Sequence, residues 1–267
     1  MARVKRLLPK KTRIGHTGTL DPLASGLLVL LIGRATRLSR YVTGLDKTYV
    51  ATAHLGAVSD TLDAEGEIRQ LDAPVPTQED LRAGARDFTG DLLQMPPMAS
   101  AVKVGGARLY DLHRRGVTVE RERRPVTVHS LELVSYDPPS AVFEVSCSSG
   151  TYVRTLISDL ADSLGSGAYL TALRRTSVGD LRMEDAATPE DILQTTLHNH
   201  IIQSDAVVSH LPAVNVGEEE REDVCHGQAL PARGVSGSFR VRGDGELLAI
   251  YREEGGLARP EVVLCAG

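Results

Sequence analysis

The sequence predicts an α+β protein with a small all-β unit at its C-terminal end. Three observations predict it. Val126 to Tyr136 and Ala141 to Ser148 alternate apolar and polar residues around Asp137-Pro138-Pro139, as paired strands do. Val153, Leu156, Ile157, Leu160 and Leu164 form the apolar stripe of a helix over 151–164, which Gly165 stops. From Leu211 to Gly267 short apolar runs are divided by Gly and Pro, and this change of texture near residue 209 sets a boundary between domains 1–208 and 209–267.

The remaining elements follow in chain order. Leu27 to Ile32 reads as a buried strand ended by Gly33, and Thr48 to Leu55 as a strand bounded by Gly56. Thr77, with Glu79 and Asp80 behind it, starts a helix toward Phe88, because acids in a first turn suit the positive end of the helix dipole. Met95-Pro96-Pro97-Met98 breaks the chain. A hairpin is expected from Ala99 to Lys103, turning at Gly105-Gly106, and then a short helix to Gly116.

Composition bounds the function. A chain of 267 residues, 42% hydrophobic, buries one large core or two modest ones. The longest apolar run, Leu27 to Ile32, is far short of the roughly 18 residues of a membrane span, and no apolar signal core follows Met1, so a cytoplasmic protein is expected. Cys147, Cys225 and Cys265 are odd in number and far apart, which predicts reduced thiols in place of a disulfide framework or a zinc site. His198 and His200 have no third ligand nearby in sequence and read as surface histidines.

Charge is unevenly distributed. The net charge is −5, yet residues 1–45 hold nine basic side chains (Arg3, Lys5, Arg6, Lys10, Lys11, Arg13, Arg34, Arg37, Arg40) and a single acid, Asp21. Residues 101–125 hold Lys103, Arg108, Arg114, Arg115, Arg121, Arg123 and Arg124 against Asp111, Glu120 and Glu122. Two basic segments on an acidic body fit a localised polyanion-binding face, since affinity for a polyanion depends on charge at the contact. Solvated loops are the plainer reading of each run taken alone.

Asp21 lies in the run Gly15-His16-Thr17-Gly18-Thr19-Leu20-Asp21-Pro22-Leu23-Ala24-Ser25-Gly26. Asp followed by Pro suits a helix start, so the carboxylate is either a cap or a nucleophile in a positive field. Arg154 poses a similar choice. It falls in the first turn of its helix, where a cation is unfavourable by a few tenths to about 1 kcal/mol. It either faces solvent in the stripe Arg154, Ser158, Asp162, or is aimed back over Gly150 at an anion.

Four segments in register carry a resemblance. The Asp21 run is similar to the signature motif of the TruB-type bacterial tRNA pseudouridine synthases, in which the Asp is the catalytic nucleophile. Asp46-Lys47-Thr48-Tyr49 resembles the segment with that family's active-site tyrosine. Cys147-Ser148-Ser149-Gly150-Thr151-Tyr152-Val153-Arg154-Thr155 resembles the segment that supplies a substrate-contacting tyrosine and the arginine paired with the nucleophile. Leu173-Arg174-Arg175-Thr176 resembles the strand whose leucine packs in the uracil pocket.

The resemblance implies a pseudouridine-synthase fold: a central mixed, mostly antiparallel sheet flanked by helices, with a PUA-like β domain at the C-terminus. It implies isomerisation of uridine 55 in the T-loop of tRNA, by a monomer, with no metal or other cofactor and no membrane. Asp21 would act with Arg154 as its partner, and Tyr49 would stack on the uracil and could help remove its C5 proton. His16 would fill the place of the flipped nucleotide, and Tyr152 and Leu173 would line the pocket. Residues 97–125 align with a thumb-like insertion over the RNA, which makes Lys103, Arg108, Arg114 and Arg115, together with Arg13, the expected RNA contacts. Family members also carry a strand and a Lys-Pro-x-Gly-x-Thr/Ser segment ahead of the basic helix, whereas this sequence opens within that helix at Met1, leaving a sheet edge uncovered. Two other functions compete on the residues. A non-catalytic tRNA-binding or folding protein would keep only the basic face, and a glycosidase would need a second carboxylate near Asp21.

Overall fold

A computed structural model describes residues 1–265. The chain forms two compact units: one of residues 20–27 and 44–184, the other of residues 1–19, 28–43 and those from 185 onward.

The unit containing Asp21 is built on a seven-stranded sheet. Its strands run in the order Leu181–Arg182, Ala168–Val178, Lys47–Leu55, Ser140–Cys147, Arg124–Asp137 and Gly90–Gln94, all neighbours antiparallel. Ala24–Gly26 adds the one parallel pairing, on Ala168–Val178. Alternation puts Ala51, Ala53 and Leu55 on the buried face, and Leu173 stands opposite Ala51 on that same face. The helix Val153–Ser163 lays Leu156, Ile157 and Leu160 into this core. Each is 1% exposed, so each contributes roughly 2 kcal/mol of apolar burial. The helix Gln78–Asp87 starts at a reciprocal cap, in which Thr77 Oγ1 accepts from Asp80 N–H and the Asp80 carboxylate accepts from Thr77 N–H. The fold is thus α+β, with a mostly antiparallel sheet.

The other unit joins the N-terminal segment to the C-terminal sheet. Five strands run in the order Ala213–Asn215, Ser238–Gly243, Glu246–Glu254, Leu257–Val263 and Leu230–Pro231, around Phe239, Val241, Leu248, Ala249 and Tyr251. Leu38, from the 3-10 turn Gly33–Leu38, packs with Val208, Ile250 and Val262. Three of the nine N-terminal bases have partners on this sheet. Arg34 and Arg37 donate to the carbonyls of Leu264 and Val263, and Arg40 pairs with Glu261 at 3.2 Å. These arginines hold the unit together, which local charge density could not distinguish from a surface left for RNA.

Three expectations are corrected. Leu27 to Ile32 is not one strand: Ala24–Gly26 joins the seven-stranded sheet, whereas Leu30–Ile32 pairs with Ile14–His16 in the other unit. An apolar run records burial but not the sheet that provides it. Asp21 caps no helix, since the Ala24 N–H donates to the Asp21 carbonyl at 2.8 Å and the chain turns directly into a strand. Cys225 and Cys265 form a disulfide, leaving Cys147 as the free, buried thiol. The helix Glu218–Cys225 and the chain leaving Leu257–Val263 bring the two Cα atoms to 5.3 Å, a proximity hidden by 40 positions of separation. Among the described residues no helix is long and apolar enough to cross a membrane.

Thiol counting checks the disulfide. Burial pushes the Cys147 thiol up to about 11, so the native protein should show almost no reactive thiol near neutral pH. Denaturation without reductant should reveal one thiol and prior reduction three, whereas three without reductant would remove the disulfide.

Candidate active site

Arg154 organises the site. Its side chain is 2% exposed at the start of the helix Val153–Ser163, and all three guanidinium nitrogens are engaged. Nε donates to Asp21 Oδ2 at 2.9 Å, Nη1 to Asp63 Oδ2 at 2.8 Å and to the Thr61 carbonyl at 2.7 Å, and Nη2 to the Ala99 carbonyl at 2.8 Å. The cation that the helix dipole disfavours is therefore offset by two carboxylates and two carbonyls. The solvent-facing reading of Arg154 is excluded by its burial.

The two carboxylates differ in what they can do. Asp63 is 4% exposed, and its other oxygen accepts from the Thr61 hydroxyl at 2.6 Å and the Glu65 N–H at 3.0 Å. Both of its oxygens are engaged by donors of the protein itself. Asp21 is 32% exposed and Arg154 holds its Oδ2, which fixes a carboxylate that remains open to a reactant. Leu62 adopts the left-handed conformation, φ +63°, between the two groups that reach Arg154, at a cost of roughly 1 kcal/mol.

The sheet carries the next candidate residues. Tyr49 stands directly across from Arg175, and Leu173, two residues earlier, is 5% exposed on the same face. Burial pushes the Tyr49 phenol up, and the Arg175 guanidinium opposes that shift by its charge and a hydrogen bond. Lys47, two residues before Tyr49, is 6% exposed, and its amine is pushed down to about 8, by burial first and then by Arg175. Gln94 clamps the residue before the helix: its side chain accepts from Tyr152 N–H at 2.7 Å and donates to Tyr152 O at 3.0 Å. Tyr152 is half-buried there.

The structure thus brings Asp21, Tyr49, Tyr152, Arg154 and Leu173 into one unit, whereas His16 and Arg13 belong to the other. Lys103, Arg108, Arg114 and Arg115 are exposed around the hairpin Lys103–Val104 and Ala107–Arg108 and the helix Leu109–His113. Arg121 and Arg123 from the same basic segment donate instead to the carbonyls of Pro96 and Leu93. Asp63 and Gln94 were not legible. Asp63 belongs to the acidic turn Ser59-Asp60-Thr61-Leu62-Asp63-Ala64-Glu65-Gly66, whose only local signal is that of an ordinary loop.

Comparison with known proteins gives the family. Residues 5–153 match the TruB family pseudouridylate synthase N-terminal domain, residues 154–213 the tRNA pseudouridylate synthase B C-terminal domain, and residues 211–265 the tRNA pseudouridine synthase II C-terminal domain. The chain belongs to the TruB family. This TruB-family chain is 43% identical to a tRNA pseudouridine synthase B of Pasteurella multocida (strain Pm70), over 86% of this chain and 77% of that protein. It is 42% identical to one of Burkholderia mallei (strain NCTC 10247), over 100% of this chain and 92% of that protein. Among solved structures, a chain of the archaeal box H/ACA sRNP Nop10-Cbf5 complex superimposes with a TM-score of 0.74 at 23% identity, covering 99% of this chain and 81% of that one. A chain of an H/ACA RNP bound to a substrate RNA containing 2'-deoxyuridine gives 0.72 at 22%, covering 99% and 80%. These two share the fold of the TruB-family chain.

Two stability measurements check the site. Asp63→Asn removes one charge from a buried pair, and the urea midpoint should report a loss of roughly 3 kcal/mol; an unchanged midpoint would mean that Asp63 does not hold Arg154. Lys47 binds its proton less tightly folded, at about 8, than unfolded, near 10.5, so its buried charge destabilises the fold below about pH 8. Lys47→Met should therefore stabilise the protein by roughly 2 kcal/mol at pH 7, an advantage that fades as pH rises toward 10.5.

Proposed function

We propose that this protein converts uridine 55 in the T-loop of tRNA to pseudouridine, with Asp21 as the nucleophile. The observation that carries the reading is the ion pair: Arg154 Nε holds one Asp21 oxygen at 2.9 Å while the side chain stays one-third exposed. The relatives named tRNA pseudouridine synthase B support the class of reaction. The N1–C1′ bond of a flipped uridine breaks with the electron pair left on N1, the uracil turns, C5 bonds to C1′, and the C5 proton is then removed with the help of the Tyr49 phenol while N1 gains a proton. Asp21 either attacks C1′ or assists glycal formation, with its charge balanced by Arg154. Tyr49 stacks on the uracil, and Tyr152 and Leu173 line its pocket, excluding the water that would leave an abasic site.

The chemistry belongs to residues 1–208 and RNA holding to the basic segments. His16 fills the space of the extruded nucleotide. Lys103, Arg108, Arg114 and Arg115 in the insertion 97–125, with Arg13, meet backbone phosphates, so recognition rests on the shape of a stem-loop. Residues 209–267, as a PUA-like domain, extend the contact along tRNA. The protein works as a monomer in the cytoplasm and without a cofactor. A glycosidase is disfavoured because Asp63, the carboxylate that reaches the Asp21 site, has its oxygens occupied by Arg154, Thr61 and Glu65.

Replacement of Asp21 by Asn tests the proposal, because Asn keeps the shape and accepts from Arg154 but is no carboxylate. Pseudouridine formation in a T-arm hairpin should fall about a thousandfold or more while hairpin affinity stays within about threefold. Unchanged turnover would remove Asp21 from the mechanism, and release of free uracil by the unaltered protein would favour the glycosidase.

A further inference from the structure

We propose that Arg175 is a positioning residue for this reaction: its buried guanidinium anchors the chain just after Asp21 at the strand position that faces Tyr49, fixing carboxylate and phenol relative to each other. The inference rests on the reading of Asp21 and Tyr49 given above.

Register is the first support. The strand Ala168–Val178 lies between two others, and at Arg175 it pairs antiparallel with Tyr49 on one side and parallel with Gly26 on the other. Arg175 is therefore the point at which the segment leaving Asp21 and the strand carrying Tyr49 meet the same residue. Hydrogen bonds fasten the Gly26 side. Arg175 Nε donates to the Leu27 carbonyl at 2.8 Å, and the Leu27 N–H donates back to the Arg175 carbonyl at 2.8 Å. On the other side Tyr49 is the direct cross-strand neighbour of Arg175 on the same face, and the guanidinium charge opposes the rise that burial gives the phenol.

Approach distance is the second support. Gly26 has φ +95°, and a Cβ there would fall 2.2 Å from the Arg175 carbonyl oxygen, so the two backbones meet as closely as glycine allows. A guanidinium 2% exposed is a costly group to keep in a core that an aliphatic side chain would fill. Its position is explained by what it orients. Arg175 thus sets the placement of the Tyr49 strand relative to the turn that carries Asp21. It touches no substrate atom and acts through Tyr49.

A double-mutant cycle on a T-arm hairpin tests this, with kcat and KM measured for Tyr49→Phe, Arg175→Lys and the pair. Arg175→Lys should lower kcat about tenfold or more with KM within about threefold. In the Tyr49→Phe background the same change should cost at most about twofold, because the group through which Arg175 acts is already gone. Fully multiplicative losses would overturn the inference and leave the role of Tyr49 standing. A Tyr49→Phe variant with unchanged kcat would overturn both. Should Arg175→Lys not fold, Arg175→Gln carries the same cycle, and failure of both to fold would assign Arg175 to the fold alone and overturn the inference.

Discussion

A guanidinium with almost no access to water has to be met by negative charge and carbonyl oxygen, and Arg154 gathers four chain segments to meet that demand. The Asp21 turn, the Thr61 to Asp63 turn, the chain at Ala99 and the helix Val153–Ser163 converge on one planar group. Fork geometry makes the convergence specific, since each nitrogen accepts a partner only in the plane and direction that its N–H dictates. A lysine offers a point charge and would leave the relative placement of the two carboxylates undetermined. The local penalty at the helix N-terminus is small beside the arrangement it permits.

Around that group the sheet provides rigidity. Tyr49 and Leu173 project from adjacent strands whose register is set over many residues, so their separation does not depend on any loop. Asp21, by contrast, sits on a turn, and is held from two directions: by Arg154 at its side chain and by the short parallel pairing of Ala24–Gly26 behind it. A carboxylate on a turn thereby acquires the positional precision of a strand.

What could be read from the sequence follows the range of the interactions. The conflict between Arg154 and its helix dipole is local, and so is the Gly-spaced run around Asp21; each allowed a site as one of two readings, and the resemblance to a family chose between them. The cap of the helix Gln78–Asp87 was legible because it too is local. Asp63 was not, because its meaning lies in an arginine 91 positions away. Cys225 and Cys265 were opaque in the same way, joined only once a helix and a strand bring them together. Leu27 to Ile32 misled for a different reason: uniform apolarity says that a segment is buried, and only Leu30–Ile32 of this one is a strand. The excess of arginine near the N-terminus was real, yet Arg34, Arg37 and Arg40 serve the C-terminal sheet, which a tally of charge cannot express.

The bond from Arg154 Nη2 to the Ala99 carbonyl carries a mechanical consequence. Ala99 lies at the root of the basic segment that holds Lys103, Arg108, Arg114 and Arg115, so that segment is hinged on the same group that steadies Asp21. Lifting the root strips a buried N–H of its acceptor, at a cost of roughly 1–3 kcal/mol, which gives the segment a preferred resting place. The root of a basic segment and an open carboxylate thus share one joint, with no other element between them.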